Sequence, residues 1–261
     1  MKRTRIEKID FSLPTSLLSF LNGAELYDSS CSPEARVYFI DKSDGYYLKI
    51  GKRGSLRREA EITEYFHSIG YGPKILDYVS LDSDFMLSER MMGEDATHSD
   101  YLSEPDRLAR LMGEELRRLH ETDYTGCPVT DRLGEYLSFA EKRYLSGEYD
   151  TQHFPDSFGY RSADEAIAVL REGIGELKSE VLLHGDYCLP NVMLDGWRLS
   201  GFIDLGGGGV GDRHIDLFWG AWTLGFNLGT DKYRDTFFDA YGRDKIDLEK
   251  IKTIAAAEVF G

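Results

Sequence analysis

The chain has 261 residues, of which 41% are hydrophobic and 30% charged, so it can bury a sizeable core and is too apolar for wholesale disorder. Acidic residues outnumber basic residues by 46 to 31, and the formal net charge of −15 repels a phosphate backbone, which argues against a nucleic-acid partner. The same charge favours polycationic small molecules as ligands.

The cysteines and the apolar segments indicate the cellular compartment that is expected for the protein. Cys31, Cys127 and Cys188 lie far apart and show no ligand-like spacing, so neither a disulfide framework nor a zinc site is expected. No apolar run in the sequence approaches the roughly 20 residues that span a bilayer. We therefore expect a cytoplasmic protein without a membrane partner.

The first third of the sequence predicts strands around one helix. Residues 36–40 and 46–50 are rich in aromatic and β-branched side chains and flank a turn at 41–45, which predicts a hairpin. Because side chains alternate along a strand, Tyr47 and Lys49 should share one face. The later elements of this region are a helix over 55–68, ending near Gly70, and strands over 75–79 and 85–88.

A helical period dominates after about residue 92. The apolar residues between Leu108 and Leu119 fall on one face of a helix, with Ser103 and Asp106 as the expected capping pair. Further helices are predicted over 131–146, 162–178, 213–228 and 247–259, with a short β patch at 180–186, 192–194 and 199–204.

The change from a strand pattern to a helical pattern along the sequence predicts the domain organisation. We expect an α+β chain with a strand-rich N-terminal lobe and its linker over residues 1–90, and a helical C-terminal lobe over 91–261. The join should lie near Glu89–Asp95. The first lobe would bind a nucleotide, and the second would carry the catalytic loop and the substrate site.

Three polar residues carry the most specific pattern in the sequence. Asp186 is followed by Asn191 five positions later and by Asp204 thirteen positions after that, just before Leu-Gly. This order and spacing are typical of kinases. Asp186 can accept or orient the proton of an attacking hydroxyl, whereas Asn191 and Asp204 offer hard oxygen ligands to Mg²⁺, which bridges nucleotide phosphates. Each residue alone would be an ordinary turn residue, but the combination predicts a site of phosphate transfer.

A lysine in the predicted hairpin supports this interpretation independently. Lys49 lies inside a strand, and Glu59 and Glu61 follow on a helix that can fold back over the hairpin. An ion pair from that helix would hold the ammonium against the α and β phosphates of a nucleotide. The spacing alone does not separate Glu59 from Glu61.

A glycine-rich segment offers a competing interpretation. Gly206, Gly208 and Gly211 match the G-x-G-x-x-G pattern of dinucleotide-binding folds. Such a fold needs another parallel strand with an acidic residue, but residues 213–261 read as helical throughout. We therefore interpret the glycines as the flexible start of a loop after the metal-binding aspartate.

These motifs resemble those of a known family. The segments 184–191 and 201–217 and the lysine strand 46–50 are similar to those of aminoglycoside phosphotransferases, most closely the aminoglycoside 3'-phosphotransferase branch. The resemblance runs from about Ser32 to Phe260. It implies a protein-kinase-like bilobal fold of the α+β class, with a five-stranded N-terminal lobe that carries one helix. It also implies Mg²⁺-dependent transfer of the γ-phosphate of ATP, or of GTP, to a hydroxyl of an aminoglycoside antibiotic, which inactivates the drug.

The resemblance also assigns roles on the nucleotide side. Asp186 matches the catalytic aspartate, and Asn191 with Asp204 match the magnesium ligands. Lys49 matches the phosphate-contacting lysine, with Glu59 as its helix partner. The remaining expected nucleotide contacts are Tyr47, which would stack on adenine, Ser88 and Arg90, whose backbone groups would read the base edge, and Ser32, which would contact phosphate.

On the acceptor side, the resemblance implies a substrate site built around Asp186. Glu148 and Glu258 match acids that bind the ammonium groups of the drug, and Phe260 matches an aromatic residue at the end of the family's chains. Supporting roles around the catalytic loop fall to His184, Asp212 and Asp216.

The sequence departs from the family pattern at several drug-facing positions. Gly207 stands where the family carries an arginine, and Trp222 and Phe226 replace an arginine and an acid. Gly261 follows Phe260, so the terminal carboxylate is displaced by one residue. The phosphotransfer residues are unaffected, but the identity of the modified ring and hydroxyl is left open.

Three rival functions are weighed against an aminoglycoside kinase. A kinase of the same fold could act on another hydroxylated metabolite or antibiotic, such as a macrolide, a sugar amine or a choline-like compound. A protein kinase is disfavoured because the sequence lacks the Gly-rich loop and a long peptide-docking segment. A nucleotide-binding regulatory module without turnover is disfavoured because every expected phosphotransfer residue is present.

Overall fold

The computed structural model describes residues 3–149 and 159–261. The chain divides into two compact units, the first made of Met1–His98 and Pro190–Gly206, and the second of Ser99–Leu189 and Gly207–Gly261. The predicted lobes, 1–90 and 91–261, differ from this grouping at two places. The first unit extends to residue 98, and it also includes residues 190–206, although these lie far along the chain.

The secondary structure of the described residues is mixed, with strands concentrated in the first unit. The strands are β1 (Thr4–Ile6), β2 (Glu25–Asp28), β3 (Ala35–Asp41), β4 (Tyr46–Lys52), β5 (Ile75–Ser80), β6 (Ser83–Glu89), β7 (Glu94–Asp95), β8 (Val181–Leu183), β9 (Val192–Asp195), β10 (Arg198–Phe202) and β11 (Gly209–Gly211). The α-helices are α1 (Leu18–Leu21), α2 (Arg57–Ser68), α3 (Ser99–Leu102), α4 (Pro105–His120), α5 (Arg132–Ser146), α6 (Ala163–Gly173), α7 (His214–Leu228), α8 (Arg234–Tyr241) and α9 (Leu248–Glu258).

The main sheet of the first unit is antiparallel. Its order is β1-β2-β3-β4-β6-β5, so within the described residues it has one strand more than the five expected, because β1 adds to the edge beside β2. In β4, Leu48 and Ile50 are buried in a core with residues such as Ile40 and Leu87. The alternation of side chains then turns Tyr47 and Lys49 to the opposite face, as the sequence predicts.

Helix α2 packs beside this sheet and is fixed at its N-terminus. Leu56 and Ala60 form a buried cluster with Met86 of β6. The Leu56 N–H donates to Asp84 Oδ2 at 3.0 Å, and Tyr78 donates its hydroxyl to the same oxygen at 2.9 Å. Asp84 therefore anchors the helix to the β5–β6 hairpin, which fixes the position of the first turn of α2.

A second small sheet explains why residues 190–206 belong to the first unit. Its order is β10-β9-β7, and the Phe202 N–H donates to the Tyr71 carbonyl at 2.7 Å. Gly93, with φ 86°, lies so close to β9 that an added Cβ would be 2.0 Å from the Leu194 carbonyl oxygen. Only glycine fits this close approach between the linker and β9.

The second unit is mostly helical. Helices α5, α6, α7 and α9 share a core of aliphatic and aromatic side chains, which includes Leu133, Ile167, Ile215, Ile254 and Phe260. Strand β8 pairs antiparallel with β11 and leads into the loop that contains Asp186. None of the helices in the described parts of the chain is both long and apolar enough to cross a membrane.

Two local predictions need correction. Helix α4 begins at Pro105, and Ser103 donates its hydroxyl to the Asp100 carbonyl whereas Asp106 accepts from Thr236, so the predicted capping pair is wrong. Proline at the first helical position, whose missing N–H leaves nothing to cap, is the start signal that the prediction overlooked.

The glycine-rich segment also folds differently from the expected flexible loop. Gly209–Gly211 forms β11, and all strand pairs among residues 3–149 and 159–261 are antiparallel. The antiparallel pairing agrees with the rejection of a dinucleotide-binding fold, which is built on parallel strands.

Candidate active site

A pocket in the first unit collects most of the residues predicted to hold a nucleotide. Strands β3, β4 and β6, helix α2 and the segment 190–204 contribute to its wall. The wall is largely apolar, but charged side chains cluster at one part of it. Its lining residues are Ser29, Cys31, Val37, Tyr47, Lys49, Glu59, Thr63, Pro73, Met86, Ser88, Glu89, Met91, Pro190, Asn191, Met193, Ile203 and Asp204.

The charged cluster is centred on Lys49. Its ammonium nitrogen lies 2.8 Å from both carboxylate oxygens of Glu59 and 2.8 Å from Asp204 Oδ1. Strand β4 supplies the lysine and the first turn of α2 supplies the glutamate, whereas the aspartate follows β10. One cation therefore joins three segments that are distant in sequence.

Burial and charge act in opposite directions on this cluster. Burial by itself would lower the pKa of Lys49, but the carboxylates of Glu59 and Asp204 outweigh it and raise that pKa above its ordinary value. Burial also raises the pKa of Glu59, although the lysine opposes this effect. Lys49 therefore stays protonated and available to an anionic ligand over the physiological pH range.

The structure resolves the choice between the two candidate glutamates. Glu61 points to the surface and pairs with Arg57 on its own helix at 2.9 Å. Glu59 is buried and pairs with Lys49. The helix period determines this result, because residues two positions apart on a helix point in different directions.

Asn191 and Asp204 lie in the same pocket wall. The Ile203 N–H donates to the Asn191 carbonyl at 3.0 Å, which ties the start of β9 to the end of β10. Asp204 adopts a left-handed backbone conformation with φ 57°, an uncommon one for a residue other than glycine. An amide oxygen and a carboxylate oxygen form a donor set that fits Mg²⁺, which completes its shell with water and phosphate oxygens. Their role as metal ligands stays a prediction.

Tyr47 occupies the pocket wall beside the lysine. Its ring centroid lies 5.2 Å from that of Phe39, and its hydroxyl accepts a 2.6 Å hydrogen bond from Arg3 Nη2. The Arg3 guanidinium also lies 3.7 Å from the centroid of Phe39. These contacts hold the tyrosine ring in place, and its stacking on adenine stays a prediction.

The other predicted nucleotide contacts are distributed around the same unit. Ser88 lines the pocket, opposite Tyr47 in the β4–β6 ladder. The Arg90 N–H donates to the Gly45 carbonyl at 3.1 Å, so a base that accepts from this N–H would compete with Gly45. Ser32 is exposed in the β2–β3 loop, next to Cys31, which lines the pocket. All three roles remain predictions.

The second unit carries the predicted catalytic loop. Asp216 accepts hydrogen bonds from the backbone N–H groups of His184 and Gly185, each at 2.8 Å. The Asp186 N–H donates to His184 Nδ1 at 3.2 Å. His184 and Asp216 therefore orient the loop that presents Asp186, as expected from the resemblance.

The expected bracing role of Asp212 needs correction. Its carboxylate accepts from the N–H groups of Lys178 and His214 and from the His214 ring. It therefore fixes the segment before β8 and the start of α7, not the catalytic loop itself.

A glycine makes the loop conformation possible. Gly185 has φ 85°, and an added Cβ would lie 1.9 Å from the Gly207 carbonyl oxygen. No L side chain fits such an approach, so glycine is required immediately before Asp186.

Glu258, which the resemblance predicts to bind the phosphate-accepting substrate, is buried near the end of α9. Its Oε1 accepts from the Tyr136 hydroxyl at 2.7 Å and from Trp219 Nε1 at 3.0 Å. Burial is the largest influence and raises the pKa of Glu258 to about 7, with a further contribution from the negative charge of Asp186, although both hydrogen bonds oppose the rise. This carboxyl group can therefore change charge near neutral pH.

The other predicted acceptor residues lie in different environments. Phe260 is fully buried, and its ring contacts those of Tyr144 and Tyr149 edge-to-face at 5.8 and 5.5 Å. In this arrangement the ring supports the core beside Glu258 and presents no surface to a ligand. Glu148 is exposed just after α5. The substrate contacts of both residues stay predictions.

The sequence reasoning missed Arg132, the first residue of α5. Its Nε donates to the Gly207 carbonyl at 2.8 Å, and its charge acts to lower the pKa of Glu258. Arg132 thus brings a cation to the position of Gly207, where the sequence lacks the expected arginine. No sequence signal could have found it, because residues 132 and 207 meet only in the folded unit.

The fold and the two sets of residues together define a class of protein. The first unit is rich in strands and carries a lysine–glutamate pair beside an aspartate. The second unit is helical and carries a His-Gly-Asp loop that is held by hydrogen bonds. Together these are the parts of a kinase-like phosphotransferase. Comparison with known proteins agrees. The chain belongs to the phosphotransferase enzyme family, whose model matches residues 33–253.

Individual relatives are similar over nearly the whole length. The chain is 48% identical over 260 residues to a probable aminoglycoside 3'-phosphotransferase of Lactococcus lactis subsp. lactis strain IL1403, covering 99% of this chain and 97% of that protein. It is 30% identical over 246 residues to an aminoglycoside 3'-phosphotransferase of Niallia circulans, covering 92% and 94%.

A solved structure shows the same fold. An aminoglycoside phosphotransferase from Streptomyces rimosus, in complex with ADP and streptomycin, superposes with a TM-score of 0.73 at 24% identity, over 86% of this chain and 90% of that one. The predicted α+β kinase-like fold and the family resemblance are confirmed. The protein is a phosphotransferase with an alcohol group as acceptor.

Proposed function

We propose that the protein transfers the γ-phosphate of ATP to a hydroxyl of an aminoglycoside antibiotic, with Mg²⁺, and so inactivates the drug. The observation that carries the proposal is the Lys49 cluster in the first unit, together with 48% identity to the Lactococcus lactis relative. We further propose that the enzyme works in the cytoplasm, where the free thiols of Cys31, Cys127 and Cys188 persist.

The nucleotide side follows from the first unit. Lys49, held by Glu59, would bind the phosphates as a fixed positive charge, and Tyr47 would contact the base. Asn191 and Asp204 would hold Mg²⁺, which when bound neutralises charge on the phosphate oxygens. When phosphates enter, Lys49 can exchange its contact with Asp204 for one with the ligand, because the Asp204 side chain is 54% exposed.

The acceptor side follows from the second unit. Asp186, on its braced loop, would accept a hydrogen bond from the acceptor hydroxyl and aim its oxygen at the phosphorus. Ionised Glu258 would attract an ammonium group of the acceptor. The net charge of −15 would raise the rate of encounter with a polycation, and added salt would weaken this effect.

An acceptor panel tests the proposal. Purified protein is incubated with ATP or GTP and Mg²⁺ against kanamycin, streptomycin, a macrolide and choline, with ADP or GDP release as the readout and NMR of the product to locate the phosphate. We expect turnover on a polycationic aminoglycoside. Turnover on a neutral acceptor with none on kanamycin or streptomycin would favour the rival kinase. Tight ATP binding without phosphorylation of any acceptor would point to a regulatory module.

Variants of the metal pair test the assignment of Mg²⁺. Asp204→Asn should raise the Mg²⁺ concentration needed for half-maximal turnover by at least ~10-fold, because a charged ligand is replaced by a neutral one. Asp82→Asn, in the exposed turn between β5 and β6, is the matched control and should keep the wild-type requirement. An unchanged requirement in Asp204→Asn would contradict the assignment.

A further inference from the structure

A row of side chains across the main sheet connects the edge strand β1 with the nucleotide pocket. In the register of the sheet, Arg5 of β1 lies opposite Tyr27 of β2. Tyr27 lies opposite Phe39 of β3, which in turn lies opposite Tyr47 of β4. Side chains that are directly opposite in antiparallel strands share one face of the sheet. The ring centroids are 6.1 Å apart for Tyr27 and Phe39 and 5.2 Å apart for Phe39 and Tyr47, so the rings form a continuous row.

Arg3, which lies just before β1, extends over this row and reaches the wall of the pocket. Its guanidinium lies 3.7 Å from the ring centroid of Phe39 and 5.7 Å from that of Tyr47. Its Nη2 donates the 2.6 Å hydrogen bond to the Tyr47 hydroxyl. A planar guanidinium can stack on one ring and donate hydrogen bonds from its edge at the same time. Arg3 therefore joins the edge strand to the side chain that is expected to stack on the base.

Tyr47 borders open space, so the orientation of its ring depends on specific contacts. The side chain lines the nucleotide pocket and also a neighbouring cavity of about 260 Å³, which has Arg3 in its wall. Within residues 3–149 and 159–261, Arg3 supplies the hydrogen bond to its hydroxyl, and Phe39 supplies its aromatic contact. A half-buried ring that borders two cavities keeps rotamer freedom unless such contacts remove it. Arg3 acts on both contacts, because it bonds the hydroxyl and covers Phe39.

We propose that Arg3 is a positioning residue of the nucleotide site, which fixes the Tyr47 ring for the base and makes the edge strand β1 part of this site. The inference rests on the proposed function, because it takes a purine nucleotide as the ligand that contacts Tyr47. A side chain that is already held loses less rotamer freedom when a ligand binds, and this strengthens binding. Arg3 should therefore lower the Kd for ATP and leave the rate of phosphate transfer unchanged.

The coupling between β1 and the nucleotide must act in both directions. If docked β1 strengthens nucleotide binding by a given factor, bound nucleotide strengthens the docking of β1 by the same factor. Strand β1 has three residues, lies at the edge of the sheet and pairs with β2. Its ion pair between Arg5 and Glu25, at 2.7 Å, is exposed and contributes little to docking. Such a strand opens locally at a low free energy, so the hydrogen exchange of its amides should respond to the nucleotide.

A double-substitution cycle tests the contact between the two side chains. Arg3→Met removes the guanidinium, Tyr47→Phe removes the hydroxyl that accepts from it, and a third variant combines both changes. We expect the Kd for ATP, measured by calorimetry without an acceptor, to rise ~3- to 5-fold in each single variant, with kcat unchanged. The double variant should rise no further than the single variants, because both changes remove the same contact. Lys8→Met, which removes an exposed positive charge shortly after β1, is the matched control and should keep the wild-type Kd.

Hydrogen–deuterium exchange of the N-terminal peptides gives a readout that does not depend on turnover. ATP should slow the exchange of the β1 amides ~3- to 5-fold in wild type, and this protection should be lost in Arg3→Met. Both effects together support the inference even if no acceptor is phosphorylated, an outcome that would refute only the proposed function. Wild-type turnover with an unchanged Kd for ATP in Arg3→Met overturns the inference and leaves the function intact. Additive effects in the double variant would also overturn it, because Arg3 would then act on the nucleotide without Tyr47.

Discussion

The buried carboxyl group of Glu258 should make stability depend on pH in a way that one substitution removes. Its pKa rises from 4.5 to about 7 on folding, and burial is the main cause. Between these values the native protein holds a proton that the unfolded chain has released, so stability falls as pH rises. At ~1.4 kcal/mol per pH unit, the free energy of unfolding should fall by about 3 kcal/mol as the pH rises through this interval, and most of the fall should occur between pH 5 and 7.

Glu258→Gln should remove this loss and preserve the contacts, because the amide oxygen can still accept from Tyr136 and Trp219. Urea unfolding at pH 5 and pH 8, followed by far-ultraviolet circular dichroism, gives both free energies of unfolding. Between pH 5 and pH 8, the free energy of unfolding of the wild type should fall by about 2–3 kcal/mol more than that of Glu258→Gln. Glu148→Gln, which removes an exposed carboxyl group of the same unit, should follow wild type. Parallel pH dependences for wild type and Glu258→Gln would refute the reasoning.

The remaining predictions concern the Lys49 cluster and the catalytic loop. Lys49→Met should destabilise the protein by ~3 kcal/mol in urea, because it leaves Glu59 buried without its cation, and should weaken ATP binding at least ~10-fold. Breaking the exposed Arg57–Glu61 pair with Arg57→Met should cost less than ~1 kcal/mol, and equal costs for the two substitutions would contradict the assignment. Gly185→Ala should abolish most turnover and lower the melting temperature, because its Cβ would collide with a backbone carbonyl. Gly175→Ala, with nothing within 4 Å of its Cβ, should leave both unchanged, and normal turnover in Gly185→Ala would show that the loop tolerates another conformation.

Much of the first unit could be predicted because its periodicity is local. The hairpin expected at 36–40 and 46–50 is observed at Ala35–Asp41 and Tyr46–Lys52. Alternation along β4 identified the face that carries Lys49, since Leu48 and Ile50 are both apolar. Strands β1 and β7 were missed because each has only two or three residues, too few for a pattern to be recognised.

The helices of the second unit were predicted to within a few residues where an apolar face is continuous. Helix α7 was expected over 213–228 and is found at His214–Leu228. Helix α6 was expected over 162–178 but ends at Gly173, where a 3-10 turn over Ile174–Glu176 tightens the chain. An isolated sequence window cannot distinguish such a turn from another turn of α-helix, because the side-chain pattern is nearly the same.

The site could be predicted only where its residues lie close together in sequence. The spacing of Asp186, Asn191 and Asp204 is a local motif and was evident. The partner of Lys49 was ambiguous between two glutamates until the direction of each side chain on α2 was known. The position of Arg132 beside Gly207 depends on the packing of α5, which no local pattern encodes. Motifs therefore identify the chemical groups, and tertiary packing decides their partners.

The turnover of Asp186→Ala, compared with its affinity for ATP, tests the assignment of the catalytic aspartate most directly. Turnover on kanamycin should fall by at least ~100-fold, because the acceptor hydroxyl loses the group that orients it and accepts its proton. The Kd for ATP should stay within about twofold of wild type, because the proposed nucleotide contacts, among them Lys49 held by Glu59, belong to the first unit. Near-normal ADP release by Asp186→Ala would contradict the account.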